Sequence, residues 1–360
     1  MNDTTVPRRL LVVKMSSMGD VIHTLPAITD LHRQYPDIEV DWVVEEAFQE
    51  IPSWHPAVKR VLPIAWRRWR KALWQSTDEL RAFHRTLQAT EYDWVIDAQG
   101  LIKSAAITKM AKGPKYGLDR HSAREGTSAW GLDYPQAVAK GQHAVERVRQ
   151  LFAQSLDYPM TVSAPDYGLA LPSDPPDDAD KYLLFLHTTT WANKHWPLTY
   201  WRQLAEIAKQ QGYQVYLPWG SEREHAQAKS IAQDLSHVTI LPKLSLKKLA
   251  GWIQHAAGVV AVDSGLAHLS TALNAPLVTV YGPSSIDLTG CYGPRQTALA
   301  AQFECAPCLS KECSYRGDKG LERNNSGASI PIWPACFTSL QPQTVWTALS
   351  QHMTPSTDAS

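Results

Sequence analysis

The chain has 360 residues, 44% of them hydrophobic and 19% charged, with 35 basic residues set against 35 acidic ones. This length suits two globular domains, each with its own core, and the even charge argues against a generalised nucleic-acid binder. The first apolar run, Leu10–Val13, is broken by Lys14 and is too short for a signal peptide or a membrane span, so a cytoplasmic protein is expected.

In chain order, Arg9–Val13 is expected to be a strand. The loop Lys14-Met15-Ser16-Ser17-Met18-Gly19-Asp20 follows, then one helix over Val21–Tyr35. Small residues, a glycine and an acid at a helix start suit a phosphate or sugar, although Asp20 could equally do no more than favour the helix dipole. Val40–Val44 is the next strand, with Glu45 and Glu46 at its carboxyl edge, the edge where parallel α/β sheets bind ligands. From Lys59 to Lys71 there are six basic residues and no acidic one, interleaved with Trp66 and Trp69. That pattern fits either a solvated helix face or a dock for an anionic ligand.

Tyr92–Asp97 is a further strand. No Gly-x-Gly-x-x-Gly and no P-loop pattern occurs in the sequence, which removes the simple dinucleotide and NTPase readings. The stretch 118–142 reads as irregular and contains Arg120 and Arg124. Residues 172–180, PSDPPDDAD, are the expected domain boundary, and Asp178-Ala179-Asp180 within them reads as a chance match to a metal-binding D-x-D.

The second half repeats the pattern. Strand Tyr182–Leu186 leads into HTTTWANKHWP (187–197), where hydroxyls and Lys194 suit a phosphate. A helix over 198–211, strand Gln214–Leu217, a helix over 223–235, a strand over 238–241 and a helix over 246–256 follow. The chain then reaches Val259–Val262, Asp263-Ser264-Gly265, helix Leu266–Leu273 and strand Leu277–Tyr281. Such a β-turn-α-turn-β unit aims free N–H groups and a positive dipole end at the place where the first strand stops, a site for a diphosphate. His268 lies one turn in. An ordinary βαβ element with a buried histidine is the alternative.

KMSSMGDVIHTLPA (14–27), DWVVEEAFQEIPSWHPAV (41–58), DAQGLIKSA (97–105), HTTTWANKHWP (187–197), LPWG (217–220) and VDSGLAHL (262–269) resemble the lipopolysaccharide heptosyltransferases of glycosyltransferase family nine, over roughly residues 9–294. The resemblance implies an α/β GT-B fold with two Rossmann-like domains facing each other across a cleft. The expected division is an acceptor domain over 1–172, a linker over 173–180, an ADP-heptose domain over 181–345 and a tail over 346–360. The implied reaction is inverting transfer of L-glycero-D-manno-heptose from ADP-heptose to the first Kdo of Kdo-lipid A, on the cytoplasmic face of the inner membrane.

Carried over by position, Asp20 is the implied general base. Thr189, Thr190, Lys194, Glu224, Asp263, Ser264, Gly265 and His268 are the implied donor site, and Arg67, Arg68, Arg70 and Arg120 are the expected acceptor contacts. The expected partners are ADP-heptose, Kdo-lipid A and the membrane surface, without nucleic acid, and no cofactor is required. Cys305, Cys308, Cys313 and Cys336, spaced C-x2-C-x4-C-x22-C, resemble a cysteine-bearing tail of the same family and are either free thiols or ligands of a structural zinc. The rivals are the same fold adding the second heptose, and a two-domain sugar-binding protein without catalysis.

Overall fold

The computed structural model describes residues 9–160, 163–171, 181–323 and 327–353. The chain divides into two compact units, the first ending at Leu171 and the second beginning at Pro172. The expected linker and its Asp178-Ala179-Asp180 lie outside the described residues.

In the first unit Leu10, Leu11, Val12 and Val13 are all fully buried. A strand covered on both faces requires this, and it is why they read as a continuous apolar run rather than an alternation. They belong to β1 (Arg9–Val13), which joins β2 (Glu39–Glu45), β3 (Val58–Ile64), β4 (Trp94–Asp97), β5 (Lys115–Leu118) and β6 (Tyr134–Gln136). The sheet is parallel throughout, in the order β3-β2-β1-β4-β5-β6. Leu11 of β1 stands beside Asp41 on one side and Val95 on the other.

The second unit holds β7 (Tyr182–Leu186), β8 (Gln214–Leu217), β9 (Val238–Ile240), β10 (Gly258–Val262), β11 (Leu277–Tyr281) and β12 (Gln296–Ala300). Its order is β12-β11-β10-β7-β8-β9, again all parallel. Counted from its own first strand, this is the order of the first sheet. In each sheet the strand order reverses beside the first strand, between β1 and β4 and between β7 and β10. Ligands of open α/β sheets bind beyond the carboxyl ends at that switch point.

The stretch 118–142, expected to be irregular, contains β6, which pairs with β5, and two expected helices have other bounds. The helix expected over Val21–Tyr35 is two helices, Met18–Ile22 and Leu25–Gln34. Pro26 stands in the first turn of the second, where its fixed φ and missing N–H suit a new start rather than a continuation. The helix expected over 223–235 is Glu222–Ala232, followed closely by Asp234 in the left-handed region at φ 60°. The last helix, Pro342–Ser350, crosses the expected boundary at 345. Its Val345 and Leu349 are buried in the same core as Val260 and Val278. Gly258 in β10 permits that close packing, because a Cβ there would stand 3.0 Å from the Leu349 side chain.

Candidate active site

In the first unit every singled-out residue lies beyond the carboxyl end of a strand: Asp20 after β1, Arg67, Arg68 and Arg70 after β3, Arg120 after β5. Ser17 caps the helix Met18–Ile22, and the Asp20 carboxylate Oδ2 accepts from the Ser17 N–H at 2.7 Å and from its hydroxyl at 2.7 Å. This reciprocal cap sets the direction of the carboxylate.

Beneath it, Lys14 is buried and its ammonium donates to the Ala98 carbonyl at 2.8 Å. Burial pulls the Lys14 pKa down, while the charges of Asp20 and Asp97 oppose that shift. Asp97 at the end of β4 is 2% exposed. It accepts from the backbone N–H groups of Gln99 and Gly100 and from the Ser104 hydroxyl. Burial nonetheless raises its pKa. Lys103 donates to the Ser16 hydroxyl at 2.9 Å, and its pKa falls through burial and the nearby cations Arg67 and Arg70.

The four arginines are not equivalent. Arg68 is held by Glu79 at 2.8 Å and Glu46 at 3.2 Å. Arg67 and Arg70 are exposed, with the Arg67 guanidinium 5.5 Å from the centre of the Phe48 ring and its backbone N–H donating to Glu45. Arg120 is exposed and donates from Nε to the His121 ring at 3.0 Å.

In the second unit the residues converge on the end of β10. Ser264 caps the helix Gly265–Ala272, its hydroxyl accepting from the Ala267 N–H. Asp263, 6% exposed, faces that start, and Lys194 Nζ pairs with its Oδ2 at 2.6 Å. His268 Nε2 lies 3.9 Å from Asp263 Oδ1. Thr189 donates its hydroxyl to the Asp263 carbonyl at 2.9 Å, while Thr190 is exposed on the same loop. Lys194 also lies 4.3 Å from the centre of the Trp191 ring.

Glu224 is placed differently. Its Oε2 accepts from the N–H groups of Gly220 and Ser221, closing a capping box for its own helix. Residues the sequence reading passed over complete the site. Cys291 Sγ stands 3.8 Å from His268 Nδ1, and the Cys291 N–H donates to the buried Tyr281 hydroxyl.

Cys305, Cys308, Cys313 and Cys336 line one cavity of about 20 Å³ with Asn193 and Gly282. Burial, then the neighbouring thiols, push Cys336 up to about 12. Among the described residues no three His, Cys, Asp or Glu side chains form a set able to hold a metal ion.

The pattern that defines glycosyltransferase family 9 (heptosyltransferase) matches residues 80–318, about two thirds of the chain. The chain belongs to this family. Within family 9 it is 50% identical to lipopolysaccharide heptosyltransferase 1 of Pseudomonas aeruginosa, over 95% of this chain and 97% of that one. Against lipopolysaccharide heptosyltransferase 2 of Salmonella typhimurium the identity falls to 26%, over 78% of this chain and 84% of that one. Among solved structures, E. coli heptosyltransferase WaaC with ADP-2-deoxy-2-fluoro heptose superposes with a TM-score of 0.80 at 42% identity, covering 95% of this chain and 99% of that one. The chain is therefore a glycosyltransferase of the heptosyltransferase family, and its paired six-stranded sheets are those of the GT-B fold.

Proposed function

We propose that this enzyme moves L-glycero-D-manno-heptose from ADP-heptose to the first Kdo of Kdo-lipid A, with inversion at the anomeric carbon. The observation that carries the reading is the cluster Lys194–Asp263–His268 at the start of the helix Gly265–Ala272, in a chain half identical to a heptosyltransferase 1. Lys194 and the N–H groups at Gly265 and Leu266 take the charge of the departing diphosphate. Asp263 holds Lys194 in place, and Thr189, Thr190, Ser264 and Glu224 complete the donor site. Asp20 receives the acceptor hydroxyl proton as the anomeric carbon is attacked.

Arg67 and Arg70, with Arg120, bind acceptor carboxylate and phosphate through paired N–H donors. Arg68, tied to Glu46 and Glu79, shapes that segment instead. The four thiols serve the packing of the second unit, and no step needs a metal. The reaction places the enzyme on the cytoplasmic face of the inner membrane as a peripheral protein. Among the described residues no helix is long and apolar enough to cross a membrane. Purified enzyme given ADP-heptose and Kdo-lipid A is expected to add one heptose by mass spectrometry. Addition only to an acceptor that already carries one heptose would transfer the assignment to the second step.

A further inference from the structure

Cys291 lies between the short helix Ile286–Thr289 and β12, and both of its main-chain groups are used. Its N–H donates to the Tyr281 hydroxyl at 2.7 Å, and its carbonyl accepts from Gln296 Nε2 at 2.7 Å. The thiol is therefore held in one place, and it is buried there. Its sulfur accepts from the Thr279 hydroxyl at 3.5 Å, and the Thr271 and Tyr281 hydroxyls stand against it as well. It also faces His268 Nδ1 at 3.8 Å. His268 is itself buried, and its other nitrogen, Nε2, lies 3.9 Å from Asp263 Oδ1. A neutral imidazole has one N–H and can answer only one of these two acceptors, whereas an imidazolium answers both. The sulfur is equipped for the matching negative charge. Burial opposes its ionisation, but the charge of His268 and the surrounding hydroxyls outweigh burial and draw the thiol's pKa down. Burial, then Cys291, pushes Tyr281 well above the usual phenol range, so Tyr281 remains a donor.

We propose that Cys291 is a positioning residue for the donor, its thiol proton resting on His268 Nδ1 to leave a buried thiolate beside an imidazolium. The S–H bond breaks and an N–H bond forms, so the pair stays neutral overall while its positive end turns towards Asp263. The inference rests on the reading that ADP-heptose binds at Lys194, Asp263 and His268, and it adds what keeps the histidine charged. The ring is faced by Asp263 from the end of β10 and by Cys291 from the segment before β12. Tyr281 of β11 acts on it through the sulfur, and Lys194 offsets Asp263. With Lys194 shared with Asp263, the imidazolium is a further cation for the departing diphosphate. A serine at 291 would keep the shape and the hydrogen bonds, but it could not give up its proton.

The test uses the full-length enzyme, with ADP as the probe and Cys291→Ser and Cys291→Ala as the variants. Nitrogen NMR of the histidine rings, with the His268 signal assigned through His268→Gln, should show both ring nitrogens protonated in wild type at about pH 7.5. In Cys291→Ser the same ring should be neutral at that pH. In calorimetry Cys291→Ser should bind ADP much as wild type does near about pH 6, where an ordinary histidine is charged, and about tenfold more weakly near about pH 8. Its melting should be unchanged, and Cys291→Ala should show the same dependence on pH. A sulfur that only fills space predicts the opposite, with serine restoring ADP binding at both pH values and alanine losing it at both. That result overturns the proposal, as does a neutral His268 ring in the wild type at about pH 7.5. Absence of ADP binding by the wild type would strike the donor reading instead, and the protonation of the ring, measured without ADP, would still decide the state of the pair.

Discussion

The two units place a lysine and an aspartate at the same topological point and use them oppositely. Asp97 ends β4 and Asp263 follows β10, the fourth strand of each sheet, and each has a lysine from the segment after the first strand nearby. In the first unit Lys14 turns inward to the Ala98 carbonyl, and Asp97 is consumed by three hydrogen bonds that build its loop. In the second, Lys194 and Asp263 pair at 2.6 Å where a helix begins. One pair scaffolds the loop that carries Asp20, proposed above as the general base, and the other is the pair proposed above for the donor. Equivalent position in a repeated fold therefore does not give equivalent chemistry. What differs is the partner: Lys14 is fixed on a backbone carbonyl, Lys194 on a carboxylate at a helix start.

The comparison breaks most sharply at Asp20. Asp20→Ala should retain its fold by circular dichroism and lose on the order of 10²–10⁴ in turnover; near-normal turnover would leave the first unit without a working group. Next come the lysines. Lys14→Ala should cost roughly 2–4 kcal/mol of stability in denaturant titration, because buried polar groups lose a charged partner, with ADP affinity unchanged. Lys194→Ala should do the reverse, weakening ADP binding by about ten- to a hundredfold in calorimetry with a smaller shift in melting. If both variants lost stability alone, Lys194 would be scaffold too.

His55 extends the contrast to pH. Its Nε2 meets Thr29 Oγ1 at 3.0 Å, and its Nδ1 accepts from the Ala57 N–H, so the ring is held neutral. Burial, then His32, depresses it to about 4. The unfolded chain takes up the proton first, so stability falls as pH drops from about 6.5 towards 4, by roughly 2–3 kcal/mol in all. His55→Gln should flatten that slope in melting curves taken across the window. The smallest effect is expected at Arg68, where Ala should leave the melting temperature and the donor KM nearly unchanged. Replacing Arg67 and Arg70 together should raise the acceptor KM.

The central strands were legible because burial on both faces writes itself as unbroken Leu, Val and Ile runs, whereas β3, β5, β6 and β12, only partly buried, left no such signal. β1, β7, β10 and β11 lie where those runs are. The loops 187–197 and 262–269 were legible as site segments because hydroxyls, lysine and glycine cluster there. Arg68 was not separable from Arg67 and Arg70, since its partners Glu46 and Glu79 lie 22 and 11 residues away and periodicity reports only near neighbours. Lys14 read as an interruption in an apolar run, although an isolated lysine inside a buried strand end already implies an internal acceptor. Glu224 could have been read as a cap from Ser221-Glu222-Arg223-Glu224, a capping-box spacing. Cys291 carried no local signal, because only the fold brings it to His268.

The packing of Leu349 against β10 has a consequence during synthesis. The first unit's last buried tyrosine is Tyr167, whereas the second unit closes its core only when Leu349 has been made. At about 5–20 residues per second, the first unit is complete roughly ten to forty seconds before the second can be. From the moment they are made until that helix follows, β10 and β11 lack the element that covers them. A ribosome stalled between residues 300 and 340 would thus carry a finished first unit joined to an open apolar sheet, which makes the nascent second unit the part that depends on chaperones.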